Sequence, residues 1–226
     1  RPTHRTHHGD RVAFRIGRDL HRSLSTLARQ NNSTLFMAIH ALFAVLLARL
    51  SGSSDIVIGT PVAGRPDPRL DQLVGMFVNT LVLRTPVDGS RSFTEVLDRT
   101  RDVDLGAFLH ADLPFERVVE AVDPPRSTSR SPLFQVSLEF ESVLRPEITL
   151  PDLTVTVAEY TPPVAKVDLE LVVAETFDES GAPDGIAAGF TYATDIFDAA
   201  TVQGFADRLT RLVAASSPTP TTRSGI

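Results

Sequence analysis

The sequence contains no cysteine. That excludes disulfides, thiolate metal sites and a cysteine nucleophile at once, and it fits a reducing, cytoplasmic setting. Lysine is nearly absent too: Lys166 is the only one, so the basic charge is carried by arginine. No run of apolar residues is long enough to span a bilayer. The most hydrophobic stretch, Leu35 to Leu50, is interrupted by His40 and Arg49 and falls short of the roughly 18–20 residues a crossing needs. It reads as a buried core helix. The chain opens on Arg-Pro-Thr-His with no apolar run behind it, so no signal peptide is expected. A formal net charge of −6 and a pI of 5.5 argue against nucleic acid as a partner, because binding phosphates needs a basic face. The arginines of the first thirty residues read as a solvated edge. Neither a phosphate-binding Gly-rich loop nor a His/Asp/Glu cluster with metal-ligand spacing is present, so neither nucleotide nor metal is expected.

What is present is an ordinary globular composition. The 226 residues are 42% hydrophobic, enough for one sizeable core. Val12, Phe14 and Ile16 alternate as in a strand. A helix follows from Asp19, with Leu20, Leu24 and Leu27 on one face and His21 on the polar face. Asn31 to Thr34 ends it and caps the Leu35–Leu50 helix, which Ser51 and Gly52 stop. Asp55 to Gly59 reads as a buried strand, Thr60 to Arg69 as a Pro/Gly-rich loop and Phe77 to Arg84 as a strand. Ser92 and Glu95 spell a capping box before an inward-facing Phe93, Val96 and Leu97. Pro114-Phe115-Glu116 starts a short helix, with Pro114 in its first turn and Phe115 as a core anchor. Four further strands are expected, at Phe134 to Phe140, Val155 with Val157, Val167 to Val173, and Phe190 with Tyr192. A last helix carries Val202, Phe205, Leu209 and Leu212. The expected architecture is a two-layer α/β domain, a mixed sheet with packed helices, over residues 1–215; the Ser/Thr/Pro-rich 216–226 reads as the start of a linker.

Three segments are more specific. Ile58-Gly59-Thr60-Pro61-Val62-Ala63-Gly64-Arg65 is followed closely by Val74-Gly75-Met76-Phe77-Val78-Asn79-Thr80. The second is His110-Ala111-Asp112-Leu113-Pro114-Phe115-Glu116, and the third is Arg126-Ser127-Thr128-Ser129-Arg130-Ser131-Pro132-Leu133-Phe134-Gln135-Val136. In this order and spacing they resemble the later core motifs of the condensation domains of nonribosomal peptide synthetases, as does the Leu35-Phe36-Met37 opening of the core helix. The resemblance implies a fold like chloramphenicol acetyltransferase and matches the second of the family's two lobes, over about residues 10 to 215. It implies carrier proteins delivering acyl groups on phosphopantetheine arms into a tunnel between the lobes, where an amine attacks a thioester to form a peptide bond. The implied partners are the N-terminal lobe, donor and acceptor carrier proteins and a downstream adenylation domain, with no nucleic acid and no membrane. Phosphopantetheine arrives on the carriers and is not a cofactor held by this chain.

The family's catalytic signature, His-His-x-x-x-Asp-Gly, is missing. His7-His8 is followed at the required distance by Val12-Ala13, and these histidines sit in a polar arm. His40 reads as a hydrogen-bonded packing residue, and His110 opens a loop. No catalytic residue is therefore assigned, and the piece is expected to be inactive alone. Gly59, Pro61, Gly64 and Pro66 read as turn-shaping residues. Arg65 is a candidate for a bidentate pair with a carboxylate of the other lobe. Phe77, Asn79 and Thr80 are candidates for the tunnel wall, Asn79 either there or as a satisfied buried amide. Pro114 and Phe115 read as structural. Arg126, Ser129 and Arg130 either fix the approach to the next strand or face a partner. Two other readings stay open: a small stand-alone acyltransferase, which would need its own histidine motif, and a non-catalytic docking module of the same fold.

Overall fold

The computed structural model describes residues 1–65, 67–141, 153 and 162–216. The elements run β1 (Gly9–Ile16), α1 (Arg18–Gln30), α2 (Leu35–Ser51), β2 (Asp55–Val62), β3 (Asn79–Pro86), α3 (Phe93–Phe108), α4 (Phe115–Val122), β4 (Val136–Glu141), β5 (Leu169–Phe177), β6 (Pro183–Ala193) and α5 (Ala199–Ser216). The strands form one mixed sheet in the order β1-β6-β5-β4-β2-β3. β5 and β4 are parallel, as are β4 and β2, and the remaining neighbours are antiparallel. β4 meets β2 at one register pair, Gly59 opposite Ser137.

Alternation places one strand face in the core. Ile16, Ile56, Ile58, Leu138, Leu169, Leu171, Val173, Ile186, Phe190 and Tyr192 meet there with α1, α2, α3 and α5. α2 is buried nearly all round. Thr34 caps its start by accepting from the Met37 N–H, and Gly52, at φ 70°, ends it in the left-handed conformation that glycine adopts without a Cβ clash. Ser92 and Glu95 cap α3 reciprocally, as their spacing implies. No single described helix is long and apolar enough to cross a membrane; α1 and α2 reach that length together but are bent by 103°.

Several expectations need correction. His21 is fully buried, not on a polar face: its Nε2 lies 2.8 Å from Glu175 Oε1, and its Nδ1 accepts from the Gly185 N–H at 3.2 Å. A polar face on the isolated helix is buried by the β5–β6 hairpin. The N-terminal arginines are not merely solvated. Arg1 and Arg5 pair with Asp168, and Arg15 and Arg18 pair with Asp184. β2 runs on to Val62, because Thr60, Pro61 and Val62 pair with Leu81, Thr80 and Asn79. Beyond Gly59, β2 pairs with β3 alone, so the N–H that Pro61 lacks costs no bond to β4. β3 begins at Asn79 and not at Phe77. α1 begins at Arg18 on a Gly17 cap. Pro114 caps α4 from outside instead of opening its first turn, and Phe115 is half-buried outside the main core. The strand expected at Val155 and Val157, Pro66, and the 217–226 part of the expected linker lie outside the described residues; Ser216 closes α5.

Candidate functional site

The first two segments singled out by sequence, with Phe134 of the third, meet around β2 and the start of β3. Gly59 on β2 carries no side chain, and the Phe134 ring fills that space: a Cβ there would stand 2.3 Å from Phe134 Cε2. The Phe134 ring meets Phe115 edge to face, with centroids 5.7 Å apart. The Phe115 N–H in turn donates to Asn79 Oδ1 at 3.0 Å. Residues distant in sequence therefore form one chain of contacts: bare backbone, ring on backbone, ring on ring, amide on amide.

Asn79 closes this cluster. Its Nδ2 donates to the carbonyls of Ala111 at 2.9 Å and Leu113 at 2.8 Å. Both amide hydrogens and the amide oxygen are thus committed to the backbone of the loop between α3 and α4. The amide is satisfied within its own chain and offers no free donor to a ligand. Thr80, next along β3, is half-buried opposite Pro61.

Arg65 holds the neighbouring loop. Its guanidinium stands over the Phe77 ring, 4.0 Å from the centroid, and donates to the carbonyls of Leu70 and, at 2.9 Å, of Leu73. Gly64 makes this approach possible: φ is 62°, and a Cβ would lie 1.7 Å from the Phe77 carbonyl oxygen. Around these residues lies a groove of about 830 Å³, lined among others by Val62, Arg65, Phe77, Asn79, Phe108 and Pro114. Val78 and Leu109, which line it, are largely exposed; so are Leu73, Val74 and Met76 in the segment before β3, and Leu113 in the loop before α4 is about half exposed. Exposed apolar side chains concentrated in two segments are a feature of interaction surfaces.

Arg126 is exposed, and Arg130 borders a second, separate cleft with Gln135 and Asp168. The Ser129 carbonyl accepts from Arg1 at 2.7 Å, which ties the third segment to the N-terminal arm. His4, His7 and His8 are exposed, and His110 is exposed at the end of α3. Among the described residues no group of three His, Asp or Glu side chains is arranged to hold a metal.

Sequence reasoning missed the buried polar pair His40 and Asp104, 2.8 Å apart, although it identified His40 as a packing residue. Asp104 shows no motif, and its partner is 64 residues away. It also missed Glu139, half-buried on the strand face away from the helices. Burial, and then Glu170 and Glu141, push its carboxyl above the ordinary glutamate value, with Lys166 opposing.

Residues 1–225 match the family described as the condensation domain. The chain is 44% identical over 225 residues to a dimodular nonribosomal peptide synthase of Bacillus subtilis (strain 168), covering all of this chain and 10% of that protein. Among solved structures, the X-domain in complex with OxyB from teicoplanin biosynthesis superposes with a TM-score of 0.87 at 29% identity, over 95% of this chain and 47% of that one. A four-domain nonribosomal peptide synthetase bound to AMP and glycine gives 0.86 at 26% identity, over 95% of this chain and 17% of that one. The chain thus spans about half of a solved X-domain and a small part of whole synthetases.

Proposed function

The chain belongs to the condensation-domain family, and from that premise we propose that it is the C-terminal lobe of a domain that joins carrier-bound aminoacyl or peptidyl groups through amide bonds. The observation that carries the reading is a pair of facts: the chain covers about half of a solved relative of similar fold, and its sequence has no His-His-x-x-x-Asp-Gly. A second lobe then supplies the histidine, and this one supplies the opposite wall. The apolar side chains exposed between Leu73 and Val78 and between Leu109 and Leu113 belong, in this reading, to the surface that second lobe covers. In this reading the phosphopantetheine arms of donor and acceptor carriers enter the groove from the cytoplasm, an adenylation domain follows downstream, and Phe77 and Thr80 face the tunnel. Asn79 shapes the tunnel wall by holding the 111–115 backbone, and Arg65 does so by holding the 70–77 loop.

The chemistry assigns this lobe no proton transfer. Its side chains position: they present a fixed wall against which an amine and a thioester are brought together, and orientation alone supplies a large share of such a barrier. The test is reconstitution. The chain is mixed with donor and acceptor carriers bearing aminoacyl thioesters, with and without a separately expressed lobe carrying His-His-x-x-x-Asp-Gly. Product is expected only from the mixture of both lobes. Product from this chain alone, above a no-protein control, overturns the proposal.

A second reading has one observation behind it. The X-domain neighbour is described in complex with another protein, OxyB, so this fold also serves as a docking module. The 44% identity to a peptide synthase favours the first reading. A mixture of lobes that binds carriers but yields no product would favour the second.

A further inference from the structure

The core of this fold contains a polar pair that the groove does not touch. His40 on α2, Asp104 on α3 and Thr85 on β3 are all fully buried. His40 Nδ1 lies 2.8 Å from Asp104 Oδ1, and its Nε2 lies 3.3 Å from the Thr85 hydroxyl. The second carboxyl oxygen of Asp104 is buried and has no hydrogen-bond partner among the described residues. Desolvating a carboxyl with half its acceptors unused is costly, and an apolar pair of the same volume would avoid that cost. Filling space does not account for the arrangement.

Its geometry does. α3 ends at Phe108, one turn after Asp104, and Phe108 and Leu109 line the groove. Phe108 meets Phe36 edge to face at 6.0 Å, and Phe36 leans on His40 at 6.2 Å. α2 therefore grips the end of α3 twice, through a directional hydrogen bond and through an edge-to-face ring contact. The opposite wall comes from the start of β3, and His40 touches that strand at its other end, at Thr85, so the strand itself carries the restraint along to Asn79. Apolar contact is non-directional and lets packed helices slide; a short hydrogen bond fixes register. We infer that His40 and Asp104 are positioning residues that set the spacing between the end of α3 and β3, and so the width of the groove and the reach of the Asn79 clamp. The inference rests on the groove being the functional surface proposed above.

The experiment is hydrogen exchange on the full chain, residue by residue, in wild type and three variants. The paired substitution His40→Phe with Asp104→Leu keeps the core filled and apolar. It is expected to melt close to wild type, while amides in 105–114 exchange about tenfold faster and those in α2 and α5 are unchanged. Asp104→Asn keeps an acceptor for the imidazole and is expected to exchange as wild type does, whereas Asp104→Ala is expected to show the same local acceleration as the pair. Wild-type exchange over 105–114 in the pair and in Asp104→Ala overturns the inference. So does a uniform rise across α2, α3 and α5, which would make the pair a contributor to global stability alone. If the paired variant does not fold, the contrast between Asp104→Asn and Asp104→Ala decides by the same criterion. In the two-lobe mixture the local variants should raise the KM for the acceptor carrier and leave kcat near wild type; a fall in kcat alone also counts against the inference. A failed reconstitution leaves the exchange result standing, so the two proposals fail separately.

Discussion

The side-chain oxygen of Asn79 accepts a hydrogen bond from the backbone N–H of Phe115, at 3.0 Å, across 36 residues of sequence. With the two bonds from its Nδ2 to Ala111 and Leu113, it makes the start of β3 and the loop before α4 one unit.

Asn79→Ala therefore removes three hydrogen bonds and leaves one N–H and two carbonyls to find solvent. A loss of about 1–3 kcal/mol is expected in denaturant melts of the chain, at the upper end if the loop cannot reach water. Asn79→Asp keeps the acceptor for Phe115 but sets a carboxylate against two carbonyl oxygens. It should be no more stable than the alanine variant at neutral pH. A melt indistinguishable from wild type for both would show that the clamp contributes nothing.

Arg65→Ala should free the 67–77 loop while costing only about 1 kcal/mol, since the bonds lost are near the surface. The measurement is limited proteolysis, read as the rate of cleavage within that loop. Arg65→Lys keeps the charge but cannot span the Leu70 and Leu73 carbonyls together, so its cleavage rate should approach that of the alanine variant. Wild-type cleavage in both would leave the guanidinium free for a partner's carboxylate.

Gly59→Ala places a methyl group inside the Phe134 ring and should cost about 1–3 kcal/mol by overpacking. Phe134→Leu in the same chain should recover part of that loss, because the smaller side chain vacates the space. Thermal melts of the two single variants and the double variant give the coupling; simple additivity would contradict the contact.

Glu139 makes a pH-dependent prediction. Its folded carboxyl holds a proton more tightly than the usual value of 4.5, so the fold loses stability when it ionises. The penalty is absent below the unfolded value, grows as pH rises through the raised folded value, and is constant above it. Glu139→Gln should accordingly melt higher than wild type near pH 7.5 and level with it near pH 3.5. The difference should shrink in high salt, since Glu170 and Glu141 contribute by repulsion. An equal melting difference at both pH values would remove the electrostatic account.

Much of this could be read from sequence because the signals are local. The caps at Thr34 and Ser92 lie within three residues of the amides they serve, and the all-apolar character of α2 can only be buried. The mixed sheet follows from the mixture of strand and helix patterns, and the chloramphenicol acetyltransferase-like fold from the family resemblance. What escaped was set by distant partners. His21 looked polar on its helix until Glu175 and Gly185 enclosed it, more than 150 residues later. Pro61 looked like a turn residue because proline fixes φ; its place in β2 shows only in the pairing with Thr80, beyond the junction between β2 and β4. Asn79 stood out as a polar residue among apolar neighbours, but its three partners are backbone groups, which no side-chain pattern reveals.

The pairing of β1 with β6 has a consequence for how the protein is made. Gly9–Ile16 lies beside Pro183–Ala193, so the earliest of the described strands takes its place in the sheet only after the latest of them has emerged. At ribosomal rates of about 5–20 residues per second the wait is roughly 10–35 seconds. Throughout it Val12, Phe14 and Ile16 have no sheet neighbour. Pairings of such long sequence separation also fold slowly once the chain is complete. Among the described strands β1 is thus the one that waits longest for its neighbour, and a chaperone that covers Gly9–Ile16 would protect it meanwhile.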